Sequence, residues 1–395
     1  MLFPLQYHVE ATNYFSSQHL VWQFFSDRTH KKEQLLEFRA DLLKNTYKFD
    51  PVSETELYAK VSLAKEKLGL DFPVTIYQAQ YTEDINASIV YLDNEAHIVF
   101  SGKLVQMLTE QELLAILGHE LSHVQLYNQL QGKLEVTDRI INAIANHQGS
   151  TPAHYETARL FRLYTEVFCD RGAYLVTGDY VPIITALVKI ATGLQTVNAD
   201  GYIKQAEEIF SVDAQTRATG ISHPENFIRA RAMWLWHTKG AEAEPIIRQM
   251  IEGHTSIDEL DLFRQQELSL ITRDVLLLLF QHQWMQTEQT AALSKQYFSD
   301  FDPGGTPDRQ LASRVEKLHS TLHDYLAYVL YDFATADKEL EDVPLGLAFF
   351  LADELKLSKS FANAVKKERK LTDKKTATLK KQVVAEFQKQ GALIA

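Results

Sequence analysis

Cysteine is almost absent: Cys169 is the only one among 395 residues. A lone thiol cannot close an intramolecular disulfide, so nothing in the chain calls for an oxidising compartment. Glycine and proline are also sparse, at 16 and 10. So few breakers disfavour an array of short strands and tight turns, and favour helices. Long hydrophobic runs are missing too. Val181 to Leu194, interrupted by Lys189, and Val275 to Phe280 are the most apolar stretches. Both fall short of the roughly 20 apolar residues that span a membrane. The first ten residues have no basic region, no apolar core and no small-residue cleavage site, so they do not read as a signal peptide. A soluble, cytoplasmic protein is the expectation.

Positive charge is in deficit as well. The net charge of −12 argues against nucleic acid as a general partner. The deficit is uneven. Between Lys366 and Lys381 eight basic residues face only Glu368 and Asp373, a local excess of six. A basic helical face exposed to water is the expected reading of that stretch, with an acidic partner as the alternative. What is present is otherwise ordinary for a globular protein: 45% hydrophobic, 11% aromatic and 23% charged residues. The length predicts two or three domains.

Along the chain, residues 15–48 and 53–69 read as helices. The second has a capping box from Ser53 to Glu56 and a stop at Gly69. Phe72 to Gln78, Ser88 to Leu92 and His97 to Phe100 read as strands, the last two joined by a turn at Asp93, Asn94 and Glu95. A second capping box, Thr109 to Glu112, opens a helix whose apolar side runs through Leu113, Leu117, Leu121 and Val124. Helices are predicted over 159–176, 181–194 (buried), 225–238 and 257–285, the last behind a box at Ser256 and Glu259. The Pro- and Gly-containing stretch 299–307 reads as a linker before a helical C-terminal unit.

The helix that starts at Thr109 carries His119-Glu120-Leu121-Ser122-His123, an H-E-x-x-H string. Positions i and i+4 lie one turn apart on one face, so two imidazoles can bind one metal ion from a rigid support. A zinc ion there lowers the pKa of its water towards about 7. Glu120, next to the first histidine, can take the proton and pass it to a leaving amine. His319 and His323 have the same spacing but no carboxylate between them, and read as surface histidines. Catalytic zinc commonly takes three protein ligands. Glu166 and Asp170 again share one helical face. Glu166 is a candidate third ligand, and Asp170 a candidate acceptor for a ligand histidine's second nitrogen. Alternatively both are exposed acids paired with Arg162 and Arg171. Cys169, between Phe168 and Asp170, reads as a small buried hydrophobe.

These segments resemble a known family, the gluzincin peptidases that include the CAAX prenyl endopeptidase, the HtpX heat-shock protease and the mitochondrial Oma-type protease. Four motifs carry the likeness in order: Asn86-Ala87 with Ile98 to Gly102, Glu112 to Val124 around H-E-x-x-H, Glu166 with Asp170, and His223-Pro224 with Arg229. They span residues 50–237. The resemblance implies a zinc-dependent endopeptidase with one Zn2+ per chain. His119, His123 and Glu166 would bind the metal, and Glu120 would be the general base. Asp170 would support a ligand, and His223 would stabilise the oxyanion. Asn86 and Ala87 would lie on an edge strand that pairs with an extended substrate. Membrane-embedded members surround this domain with hydrophobic helices that are missing here, so the likeness is to the soluble branch and prenylated substrates are not implied. Residues 326–358 are similar to TerB-like helical domains, in which Asp332 and Asp337 read as part of a solvated acidic helix face, with a second metal site as the alternative.

The expected fold is α+β and mainly helical: a zincin-like catalytic domain with a small sheet over 1–240, a helical connecting region over 241–300, and an all-α TerB-like domain over 308–395. The expected partner is a peptide or protein substrate, with a further partner or regulatory contact through the C-terminal helices. The alternative function is a zinc-containing scaffold that cleaves little.

Overall fold

The computed structural model describes residues 2–27, 31–92, 94–253 and 256–394. It is mainly helical with one small sheet, the α+β class expected from the sequence. The chain divides into two compact units, residues 1–254 and 255–395.

In the first unit, α1 (Gln6–Ser17), α2 (His19–Ser26) and α3 (Lys31–Asn45) precede strand β1 (Thr46–Lys48). The single helix expected over 15–48 is therefore broken at Gln18 and ends in a strand. α4 (Thr55–Leu68) follows. Its start differs from the predicted box: Ser53 turns back to the carbonyl of Asp50, and Glu54 stands at the cap without a side-chain bond. Its end is the expected one, Gly69 at φ 68°. Then come β2 (Val74–Ala79), β3 (Asn86–Leu92) and β4 (Glu95–Ser101). Asp93, in the turn expected between β3 and β4, lies outside the described residues.

The strands are ordered β1-β2-β4-β3. β2 runs parallel to β4, and the two other pairs are antiparallel. β3 therefore lies at one edge of the sheet, with Asn86 opposite Ser101 and Ala87 opposite Phe100 on its inner neighbour. Ile76, Ile98 and Phe100 are fully buried beneath Leu117 and Leu121 of α6 (Glu110–Asn128, after a short α5 at Leu104–Met107) and Val61 and Leu68 of α4. Each such side chain contributes about 1.5–3 kcal/mol by leaving water.

α6 begins as predicted. Thr109 Oγ1 accepts from the Glu112 amide at 3.3 Å, and Glu112 Oε2 accepts from the Thr109 amide at 2.8 Å. α7 (Lys133–Asn146) leads to α8 (Pro152–Thr177), which starts on proline, a residue that suits the first turn. α6 and α8 pack closely. A β-carbon at Gly172 would stand 1.7 Å from Ser122 Oγ, so only glycine permits this approach. α9 (Val181–Thr192), α10 (Ala199–Val212), α11 (Asn226–Lys239) and α12 (Glu244–Glu252) complete the unit. Lys189 of α9 is buried and donates to Glu112 at 2.8 Å, which ties α9 to the start of α6.

The second unit is helical: α13 (Leu262–Phe280), α14 (Glu288–Tyr297), α15 (Leu311–Glu316), α16 (Ser320–Thr335), α17 (Val343–Glu354), α18 (Ser358–Glu368) and α19 (Asp373–Ile394). One apolar core joins Leu276 and Phe280 of α13 to Leu330 and Phe333 of α16 and to Phe349 and Phe361 beyond. The basic stretch is partly neutralised within this unit, Lys366 by Asp373, Arg369 by Asp342 and Lys380 by Asp353. Asp332 accepts from the Tyr297 hydroxyl, and Asp337 caps the turn at Lys338–Leu340. His323 bonds the carbonyl of Val315, and His319 caps α16. Among the described residues, no helix is long and apolar enough to cross a membrane.

Candidate active site

α6 presents His119, Glu120 and His123, and α8 crosses it with Glu166 and Asp170. Ser122 bonds back to the Gly118 carbonyl at 2.7 Å, beside Gly172, at the point where the helices are closest. This contact sets the two motifs face to face. Glu166 Oε2 is 3.4 Å from His119 Nε2, and Glu166 Oε1 is 3.8 Å from His123 Nε2. The second nitrogen of His119, Nδ1, lies 3.0 Å from Asp170 Oδ1. His223, in the loop before α11, puts its Nε2 3.5 Å from Glu166 Oε1. Its side chain is 58% exposed, so it stands at the mouth of the site while the others lie inside. Asn86 and Ala87 of β3 border the same cavity, of about 550 Å3. The eight residues named in the sequence for the metal, catalysis, ligand support and substrate thus surround one cleft.

The two acids are buried and do not pair with Arg162 or Arg171. Arg162 bonds Asn142, and Arg171 pairs with Glu244. The cation beside both acids is Arg229 of α11. Its Nε and Nη2 donate to Asp170 at 2.9 and 2.6 Å, and its Nη1 lies 3.3 Å from Glu166. In the sequence Arg229 is visible only as part of a motif, and its two carboxylate partners lie some 60 residues away. Tyr127, one turn beyond His123, and the α9 residues Ile183, Leu187, Ile190 and Ala191 also line the cleft. None of these five stood out, because an apolar helix face reads as core until the fold exposes one side of it.

The electrostatics follow from burial and from this pairing. Burial alone would lower His119, but the carboxylates of Asp170 and Glu166 outweigh it and raise its pKa to about 10. Burial lowers His123 to about 4, against the attraction of Glu166. Burial opposes ionisation of Glu166, yet Arg229 and His119 hold it well below the usual carboxylate range. Asp170 is depressed in the same way, chiefly by Arg229 against its burial. Glu120 is lifted by burial to about 7. Two carboxylates on adjacent helices are thereby separated in character. Glu166 is firmly anionic, and Glu120 is poised to exchange a proton near neutrality.

The donor set suits a divalent metal of intermediate softness. Glu166 Oε2 is buried without a hydrogen bond, and two imidazole Nε2 atoms converge on its carboxylate. His119, His123 and Cys169 also have ligand atoms within 4.8 Å of one another. Cys169 is fully buried, however, and burial with the Glu166 and Glu120 carboxylates keeps its thiol protonated. Metals bind the thiolate, so the carboxylate of Glu166 is a better candidate for a third ligand than Cys169.

Comparison with known proteins points the same way. A plastoglobule-localized metallopeptidase 48 of Arabidopsis thaliana, a chloroplast protein, is 24% identical over 198 residues, which cover 46% of this chain and 57% of that protein. The alignment thus spans just over half the length of that relative. No solved structure matches. Residues 51–233 match the description Peptidase family M48, a stretch that contains strands β2 to β4, H-E-x-x-H, Glu166, Asp170, His223 and Arg229. Over residues 51–233, this chain is thus similar to peptidase family M48.

Proposed function

We propose that the chain is a zinc-dependent endopeptidase that hydrolyses peptide bonds with Glu120 as general base. The observation that carries this reading is the convergence of His119 Nε2, His123 Nε2 and a buried, hydrogen-bond-free Glu166 oxygen beside a second carboxylate of near-neutral pKa. His119, His123 and Glu166 would hold the metal. Asp170 holds the ring of His119 through Nδ1, which would leave Nε2 as the ligand atom, and Arg229 holds Asp170 in turn. A bound zinc ion supplies an acidified water and polarises the scissile carbonyl. Glu120, whose carboxylate borders the same cavity, would serve as the base that holds a proton and passes it to the leaving amine. His223, at the mouth, donates to the oxygen on which charge develops. The open edge of β3 at Asn86 and Ala87 gives an extended substrate a backbone to pair with.

The test combines metal content with turnover. Purified protein should carry about one zinc per chain, and His119→Ala should carry none. Glu120→Gln should keep the zinc and lose cleavage of an internally quenched, unstructured peptide. If wild type and Glu120→Gln hold zinc and are equally inert across a broad peptide library, the protein is a zinc-containing scaffold and the peptidase reading fails.

A further inference from the structure

The second unit carries a strip of positive charge that its own acids leave open. Between Leu371 and Ala385 the one acidic residue is Asp373, and it pairs with Lys366 at 2.6 Å. Lys380 is taken up by Asp353, and Arg369 by Asp342. Lys374 and Lys375, in the first turn of α19, are exposed, and neither has an acidic partner among the described residues. Lys374, Lys375, Thr378, Leu379 and Gln382 follow the i, i+1, i+4, i+5, i+8 spacing of a single helical face. Thr376, Val383 and Phe387, on the opposite face, are packed into the unit. The outer face borders a cavity of about 470 Å3, with Leu371 and Arg369 beside it. The lining is thus apolar at Leu371 and Leu379, both half-buried, and basic along its rim.

Two adjacent ammonium groups repel each other, and a ligand that brings negative charge relieves this. The apolar floor between them and Leu371 gives the same ligand a place to bury one large side chain. A bilayer is a poorer match. Large apolar side chains that project into water, the groups that enter a lipid interface, are missing from this face among the described residues. Nucleic acid fits poorly as well, since no aromatic ring lines the cavity for a base to stack on. We propose that this face of α19 docks an acidic peptide segment of a partner protein. One bulky apolar side chain of that segment sits against Leu371 and Leu379, and carboxylates on either side of it meet Lys374 and Lys375.

Fluorescence anisotropy with the full chain tests this, and needs neither metal nor turnover. The probe is a fluorescein-labelled unstructured peptide of Glu, Asp, Ser and Gly that carries a single Leu. It should bind saturably, about tenfold more weakly once Ser replaces the Leu, and more weakly as salt is raised. Lys374→Glu combined with Lys375→Glu should cost at least about tenfold. Lys356→Glu combined with Lys359→Glu alters the net charge equally, at exposed positions outside the cavity, and should leave binding intact. Circular dichroism checks that both proteins fold, and the comparison of the two peptides stands without either of them. No saturable binding, equal affinity for the Leu and Ser peptides, or equal losses in the two double variants overturns the inference. Co-sedimentation with vesicles of phosphatidylcholine and phosphatidylserine that is lost in Lys374→Glu, Lys375→Glu would assign the face to an anionic membrane, and overturns it too.

Discussion

Glu166 and Asp170 lie one turn apart on α8 and share the guanidinium of Arg229, which is itself buried. Removing that cation while keeping its bulk, as in Arg229→Met, leaves two buried carboxylates short of a partner. The metal-free protein should lose about 3–5 kcal/mol, read from the midpoint of urea unfolding. His119 supplies a second expectation. With its pKa raised to about 10 it holds a proton at pH 7, and a metal must displace that proton to bind. Zinc titration by calorimetry at pH 7, in buffers of different ionisation enthalpy, should show between about one and two protons released per ion, one from His119 and a fraction from Glu120, and apparent affinity should rise with pH. The proposed base, Glu120, sets the remaining pH dependence. Glu120 accepts a proton only as the carboxylate, and burial holds its pKa near 7 before a cation lowers it. The plot of log kcat/KM against pH should therefore climb with a slope of about one through an ionisation at or below 7, and then level off. Much of this was legible at the residue scale because H-E-x-x-H is a local pattern whose spacing alone puts its groups on one face. Arg229 was not legible in this sense, since its role depends on distances across the fold and not on its neighbours in the chain.

At the scale of elements, the site depends on how closely α6 and α8 approach. Gly172 leaves no room for a methyl group against Ser122, so Gly172→Ala must push the helices apart or turn Ser122 away from Gly118. A cost of about 1–3 kcal/mol in stability is expected, together with weaker zinc binding, because His119 and Glu166 sit on opposite sides of that contact. Chemical denaturation and a competitive zinc indicator would measure the two effects. Helices with strong end signals were placed well from sequence: Thr109 with Glu112 opens α6, and Gly69 closes α4. The same signal misled at Ser53, where the hydroxyl was already engaged with Asp50. β1 escaped notice because three residues carry no measurable alternation, and it exists only through its pairing with β2. α9 looked like a core helix for an equally physical reason, since an apolar face that lines a cleft has the same composition as one that fills a core.

The molecule as a whole consists of two units with separate apolar cores, one beneath the sheet and one centred on Phe280, Phe333 and Phe349. Each core can be lost on its own, so unfolding should not be two-state. Scanning calorimetry should resolve two transitions. A chelator should lower the one that belongs to residues 1–254 and leave the other in place, because an ion bound only to the folded form stabilises only the unit that holds it. A single transition, or a uniform shift of both, would contradict this. The mainly helical class and the small sheet followed from composition and periodicity. The position of the break did not, because 256–300 carries the same helical pattern as its surroundings and joins the second core only through packing. The sheet order has one more consequence. A cleft bordered by an open strand recognises main-chain amides, which every protein has and which folded proteins keep engaged with one another. Under the proposed peptidase function, the first sorting of substrates would then be by conformation: a natively folded chain would be passed over, and a loop, a frayed terminus or a misfolded stretch would be admitted.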